Sequence, residues 1–179
     1  DDYIITYKGA GTLNEGEITS GTSQIVITGA AGGTGSLRIA LKRELKRAKQ
    51  PGRMLALVQT DGSLSKLDTD GPIHTVDVDG QLKSANAHKS YIHAVKAGEI
   101  GTVKMDGQAD MGQQEYSHAS IVADSPSPFG PRALTAKAQL KGVVLTKLDT
   151  PYQAAMVKVD TKKNKDASTG QLFGSLGQI

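Results

Sequence analysis

The chain contains no cysteine and no tryptophan, and only two phenylalanines. Without cysteine there is no disulfide, zinc–thiolate site or thiol nucleophile, although the compartment stays open because proteins in every compartment can lack cysteine. Aromatic residues make up only 4% of the chain, so Val, Ile, Leu and Ala must fill its interior. No apolar run approaches the roughly 18–20 residues that carry a helix across a bilayer, so no membrane span is expected. Neither sign of charge dominates either. The 21 basic and 18 acidic residues leave a net charge of +3, a balance unlike that of a dedicated nucleic-acid binder. The chain begins at Asp1 and not Met, which is the expectation for an exported or matured protein.

What is present in quantity is glycine, 21 residues of it, together with many Thr and Ser, and this composition predicts short elements joined by many turns. Short β-compatible runs follow one another: Tyr3 to Lys8, Gln24 to Thr28, Arg53 to Gln59, Ile73 to Val78, Gly101 to Met105 and Glu115 to Val122. Leu134, Ala136, Ala138 and Leu140 alternate with polar residues, as on a strand with one wet face. A helix is predicted near residues 36–49, where Leu37, Leu41, Leu45 and Ala48 recur among Lys and Arg ahead of Pro51 and Gly52. A weaker helical pattern spans Ala87 to Ala97. The fold expected is mainly β, a sandwich or barrel-like sheet with an internal duplication and one or two short helices. Its divisions are an N-terminal strand or arm at 1–22, a first β-rich half with the basic helix at 23–122, a linker loop at 123–131, a second related β unit at 132–161 and a flexible tail at 162–179.

Two regularities organise this pattern. The turns Asp61–Gly62, Asp70–Gly71 and Asp79–Gly80 are nine residues apart, and Asp106–Gly107 falls three further periods on. Leu64, Ile73, Leu82, Tyr91 and Ile100 keep the same phase. A β-solenoid and a meander of short strands both generate such a period, and since the Gly-Gly-x-Gly-x-Asp repeat of calcium-binding β-rolls is missing, a meander is expected. Separately, the stretch from Leu64 to Asp79 matches that from Leu145 to Asp160 at eight of sixteen positions without a gap, which reads as a strand unit used twice.

The run from Gln24 to Gly35 offers the one motif with chemistry attached. Thr28, Gly29, Gly33 and Gly35 resemble the Thr-Gly-x-x-x-Gly-x-Gly fingerprint of short-chain dehydrogenases. The resemblance implies a glycine turn that admits a dinucleotide pyrophosphate to a helix N-terminus, with Asp61 placed to hold a ribose. It covers about a fifth of the chain, and the Tyr-x-x-x-Lys pair of that family is missing, since Tyr91 precedes Val95 and Tyr152 precedes Met156 at that spacing. Nucleotide binding at this loop is therefore the alternative reading, and no cofactor is expected. As a P-loop the segment fails, because Ser36 stands where the phosphate-binding Lys belongs.

Other candidates are weaker. Lys42, Arg43, Lys46, Arg47 and Arg53 form the densest basic cluster, a possible contact for an acidic or nucleic-acid surface. Asp68, Asp70, Asp77 and Asp79 lack a complete calcium loop, the four histidines share no zinc spacing, and no Gly-x-Ser-x-Gly elbow is present, so no metal and no catalytic residue is assigned. By elimination the expected role is structural: a non-enzymatic subunit of a virion capsid or tail, or of an extracellular filament, assembling with copies of itself. Tyr3, Ile4, Ile5 and Tyr7 form the expected assembly strand, adding to a neighbour's sheet edge. On this reading, deletion of residues 1–8 removes assembly and spares the fold.

Overall fold

The computed structural model describes residues 2–19, 22–50, 52–106, 117–123, 136–141, 143–149 and 155–159. It is mainly β, with a nearly closed, barrel-like sheet and very little helix. The chain winds in a flattened coil with two faces, and each circuit lays one strand on each. The first face holds β3 (Thr22–Thr28), β5 (Leu55–Thr60), the leading halves of β7 (Ile73–Ala87) and β8 (Ile92–Asp106), then β9 (Ser117–Ala123) and β11 (Val143–Asp149). The second holds β4 (Thr34–Leu41), β6 (Ser63–Thr69), the trailing halves of β7 and β8, then β10 (Ala136–Lys141) and β12 (Ala155–Val159). All of these pairings are parallel. Among the described strands, only the two N-terminal ones run against their neighbours: β1 (Tyr3–Gly9) pairs antiparallel with β4, and β2 (Thr12–Thr19) with β3.

Parallel pairing corrects the expectation of a meander. Neighbouring strands lie a full circuit apart in sequence, so Leu64, Leu82 and Ile100 stack in register, as do Val58, Val76 and Val95. The nine-residue period is half a circuit. Within each half the buried positions fall at a first residue, then three and two further on: Leu64, Leu67 and Thr69; Ile73, Val76 and Val78; Leu82, Ala85 and Ala87. Ile92, Val95 and Ala97 continue the series after one extra residue, which leaves Tyr91 half-buried at the corner. These files form a single core between the faces, and the outward positions carry polar residues, as alternation on a half-buried strand requires.

The Asp–Gly steps are corners of the coil rather than hairpins. Gly62, Gly71 and Gly80 do not have positive φ, which among the described glycines belongs to Gly9, Gly11, Gly29 and Gly32. What demands glycine at the corners is close approach, by the preceding circuit at Gly62 and Gly80 and by the Tyr3 ring at Gly71. At Gly98, an added Cβ would lie 2.7 Å from the Asp79 carbonyl oxygen and 3.0 Å from that of Gly80. Buried Thr60 and Thr69 bind the corners from inside, each hydroxyl accepting the amide two residues ahead at 3.1 Å.

Both helix expectations need correction. Residues 34–41 are strand, and the helix α1 is only Arg43–Ala48, closed by Lys49 at φ 54°. The spacing of Leu37 and Leu41 suits a period of 3.6 or of two. Ile39, fully buried midway between them, decides for the strand. The stretch from Ala87 to Ala97 ends β7, turns through His88 to Ser90 and begins β8. Its three-residue step from Ile92 to Val95 imitates a helix because the coil itself uses that step. The first copy of the duplicated unit covers β6 and the start of β7 and the second covers β11 and β12, with corresponding strands on opposite faces. The linker at 123–131 and the tail at 162–179 fall outside the described residues apart from Ala123. Among the described residues no helix is long and apolar enough to cross a membrane.

Candidate functional site

The sheet path ends at β1 on one face and at β2 on the other, both at the N-terminal end of the coil. Tyr3, Ile5 and Tyr7 of β1 turn inward and pack against the core, whereas Ile4, Thr6 and Lys8 are exposed. The Tyr3 hydroxyl donates to the Arg53 carbonyl at 2.6 Å, and its ring fills the space beside Gly52 and Gly71. Burial pushes this phenol well above its ordinary value, with help from the nearby Asp2 carboxylate. The Tyr7 hydroxyl donates to the Ala10 carbonyl while its ring lies against Gly35. Just before β1, Asp2 Oδ2 accepts from the Arg53 amide at 2.7 Å and from its Nε at 3.2 Å. The Arg53 amide bond, reinforced by the guanidinium, holds this carboxyl below its ordinary value despite partial burial.

The backbone polarity of β1 follows from one bond. The Lys42 amide donates to the Asp2 carbonyl at 2.9 Å, and β1 pairs with β4 in the register that places Tyr3 opposite Leu41. In an antiparallel ladder the bonded residues alternate. The N–H and C=O groups of Asp2, Ile4, Thr6 and Lys8 therefore face β4, and those of Tyr3, Ile5 and Tyr7 face away, along an edge that no described strand covers. The assembly strand expected from sequence is thus docked on its own chain by one edge, and no described strand pairs with the other.

The β2 edge is built differently. Glu15 stands opposite Ile25 of β3 and lines a cavity of about 460 Å³ at this end of the coil, together with apolar Ile5 and Leu55 and charged Asp2 and Lys42. A charge on the inner side of an edge strand obstructs further pairing. No such charge interrupts β1, whose single ionisable side chain outside the tyrosines is Lys8.

The glycine-rich loop does not have the strand–turn–helix geometry of the fingerprint it resembles. Thr28 ends β3, Gly29 and Gly32 turn with φ 72°, and Gly35 already lies in β4. Asp61, the proposed ribose ligand, instead binds this loop: its Oδ2 and Oδ1 accept the amides of Gly29 and Ala30, each at 2.9 Å. Thr28 Oγ1 accepts from Asn14, and Gly33 donates its amide to the Ala30 carbonyl. A corner carboxylate thereby caps the preceding circuit, using the loop donors that a phosphate would need.

The next corner repeats the device with charge added. Asp70 accepts the Leu41 amide at 3.2 Å and pairs with Arg38 at 2.7 Å and Lys46 at 2.6 Å. Asp68 pairs with Lys66 at 2.6 Å and accepts from Asn86 at 2.9 Å, with His88 Nε2 at 3.6 Å. Burial raises both carboxyls, yet the hydrogen bonds and cations outweigh it and leave each below its ordinary value. Asp77 lies on the other face, in register between Gln59 and Lys96, and Asp79 is exposed at its corner. The rings of His74 and His93 stack with centroids 4.9 Å apart.

Of the basic cluster, Lys46 is paired with Asp70, Arg53 with Asp2, and Lys42 is half-buried beside the cavity. Arg43 and Arg47 are exposed and form no ion pair among the described residues. Sequence reasoning missed the links of Asp61 and Asp70 to the preceding circuit. Their nine-residue spacing was the available signal, since it places both at corners. No protein-family model, no curated protein and no solved structure matches the chain.

Proposed function

We propose that this chain is a non-enzymatic structural subunit that assembles with copies of itself through the open edge of β1, as part of a virion shell or tail or of an extracellular filament. The observation that carries this reading is the unprotected strand: Tyr3, Ile5 and Tyr7 direct backbone donors and acceptors outward from a segment with no proline and one lysine. The charged clusters support it from another side, because their members hold circuits of the coil together rather than converge on a cleft.

Deletion of residues 1–8 is no longer a clean test, since it would strip Tyr3, Ile5 and Tyr7 from the core. Ile5→Pro gives up only one of these three side chains, and an unchanged far-UV circular dichroism spectrum checks that the fold survives it. The substitution removes an outward N–H and leaves the ladder to β4 intact, whereas Thr6→Pro breaks that ladder and serves as the misfolded control. Negative-stain microscopy with mass photometry should find polymers, shells or oligomers of the parent chain and smaller species for Ile5→Pro. A parent chain that stays monomeric at every concentration overturns the reading.

A second reading concerns the basic helix. Arg43 and Arg47, exposed and without an ion pair among the described residues, suit an acidic or nucleic-acid surface. Binding to a polyanion that weakens steeply between low and high salt, and is lost on Arg43→Ala with Arg47→Ala, supports it; salt-insensitive binding does not.

A further inference from the structure

The β1 edge is complementary to itself in one register, and this defines a partner: a second copy of the same chain. We propose that two chains pair their β1 edges antiparallel about a two-fold axis at Ile5, with Asp2 of each chain opposite Lys8 of the other. The inference rests on the assembly reading above and adds its symmetry, register and contacts.

Three constraints select this register. The first is backbone polarity. Tyr3, Ile5, Tyr7 and Gly9 carry the outward groups along this stretch, so they must meet their own kind across the axis, and any shift by one residue sets bonded positions against outward ones. The second is overlap. With Ile5 opposite Ile5, Tyr3 meets Tyr7 on both sides, and the three bonded pairs use about six backbone hydrogen bonds, two for each pair. A shift by two residues towards the N-terminal end leaves Tyr7 without a counterpart in β1, whereas the opposite shift pairs Tyr3 with Gly9 and is excluded by charge. The third is charge. The same register sets Asp2 opposite Lys8 in a non-bonded pair, where side chains come closest. Arg53 occupies Oδ2 of Asp2, and Oδ1 has no bond among the described residues, so a carboxylate oxygen remains for the incoming ammonium. A two-residue shift towards the C-terminal end sets Lys8 against Ile4 and loses the pair.

On the outer surface this register sets Ile4, 57% exposed and one of two large exposed hydrophobic residues among those described, opposite Thr6 of the second copy. That contact gives the exposed isoleucine a neighbour. An edge-to-edge pair of this kind is isologous and closed, so it yields a dimer; growth beyond two chains would need another surface.

The absence of native cysteine makes the register directly measurable. Ile4→Cys and Thr6→Cys place one thiol each on the exposed side of β1. Positions 4 and 6 of opposite chains form a non-bonded pair with Cα atoms about 4.5 Å apart, inside the disulfide range, whereas like positions are diagonal and further apart. Mild oxidation of an equal mixture of the two variants should give a covalent dimer at least several-fold faster than either variant alone. Lys8→Glu should weaken the unoxidised dimer by roughly 2- to 5-fold, and less at high salt. Cross-linking of the mixture no faster than of the single variants overturns the register, as does faster cross-linking between Ile4→Cys and Lys8→Cys. Assembly that persists undiminished in Ile5→Pro overturns the β1 edge as the interface while a structural subunit remains in view. A parent chain that is monomeric throughout overturns both.

Discussion

Replacing Leu82 with alanine tests the stacked core at its centre. Leu82 is fully buried and stands in register between Leu64 and Ile100, themselves 0% and 1% exposed. The substitution removes three carbons, worth about 2.4 kcal/mol in transfer at about 0.8 per methylene. It also opens a void, which adds about 1–2 kcal/mol where the surroundings cannot collapse. Collapse is hindered here because backbone ladders hold the strands above and below at their fixed spacing of about 4.8 Å. The expected cost is therefore about 3.5–4.5 kcal/mol, towards the upper part of the range for buried leucines. Urea unfolding followed by far-UV circular dichroism measures it as a lower midpoint with an unchanged slope. Lys83→Ala, one residue along and exposed, should stay within about 0.5 kcal/mol of the parent. A loss below about 1 kcal/mol at Leu82 would refute a continuous file of stacked residues, since a filled core leaves no other route to so small an effect.

The other outcomes probe the corners. Asp61→Ala leaves the amides of Gly29 and Ala30 without their carboxylate and should cost about 1–3 kcal/mol, with faster hydrogen exchange at those two amides before any global change. Gly98→Ala forces a Cβ against the carbonyls of Asp79 and Gly80 and should cost about 1–3 kcal/mol by thermal melt; a neutral result would mean the circuits can separate there. Asp68 and Asp70 have carboxyls held below their ordinary value of 3.8, so the unfolded chain takes up protons first as pH falls. The stability they contribute is complete well above pH 4 and is lost below it as the pH passes through their lowered folded values. Asp70→Asn should be less stable at neutral pH and show a shallower loss between about pH 4 and 2, measured by urea midpoints across that range. An unchanged acid limb would show that the pairing with Arg38 and Lys46 does not bear on folding.

Much of the architecture was legible before any coordinates. Scarce aromatics and abundant Gly and Thr pointed to a β protein with an aliphatic core, and the β-compatible runs Tyr3 to Lys8, Gln24 to Thr28 and Ile73 to Val78 lie within β1, β3 and β7. The nine-residue phase of Leu64, Ile73 and Leu82 was also visible. What it could not settle was which strands become neighbours, because a meander and a coil bury the same positions and differ only in pairing. Only the parallel registers of Leu64 with Leu82 and of Val58 with Val76 decide for the coil.

The misread helices have a common cause. Leu37 and Leu41, or Ile92 and Val95, stand at spacings that a helix and a cornering strand share, and local sequence does not say which partner will bury them. The same holds for the loop at Gly29 to Gly35. Its glycines do mark a turn with positive φ, as composition implied. Whether that turn cradles a phosphate or a carboxylate of its own chain depends on Asp61, thirty-two residues further on, and on the winding that brings it there. Sequence by itself determined the residue classes, the turns, the absence of thiol chemistry and the half-circuit repeat. Tertiary structure alone decided which strand lies beside which, which charges neutralise one another and which edge of β1 meets β4, because each of these is a contact between residues distant in the chain.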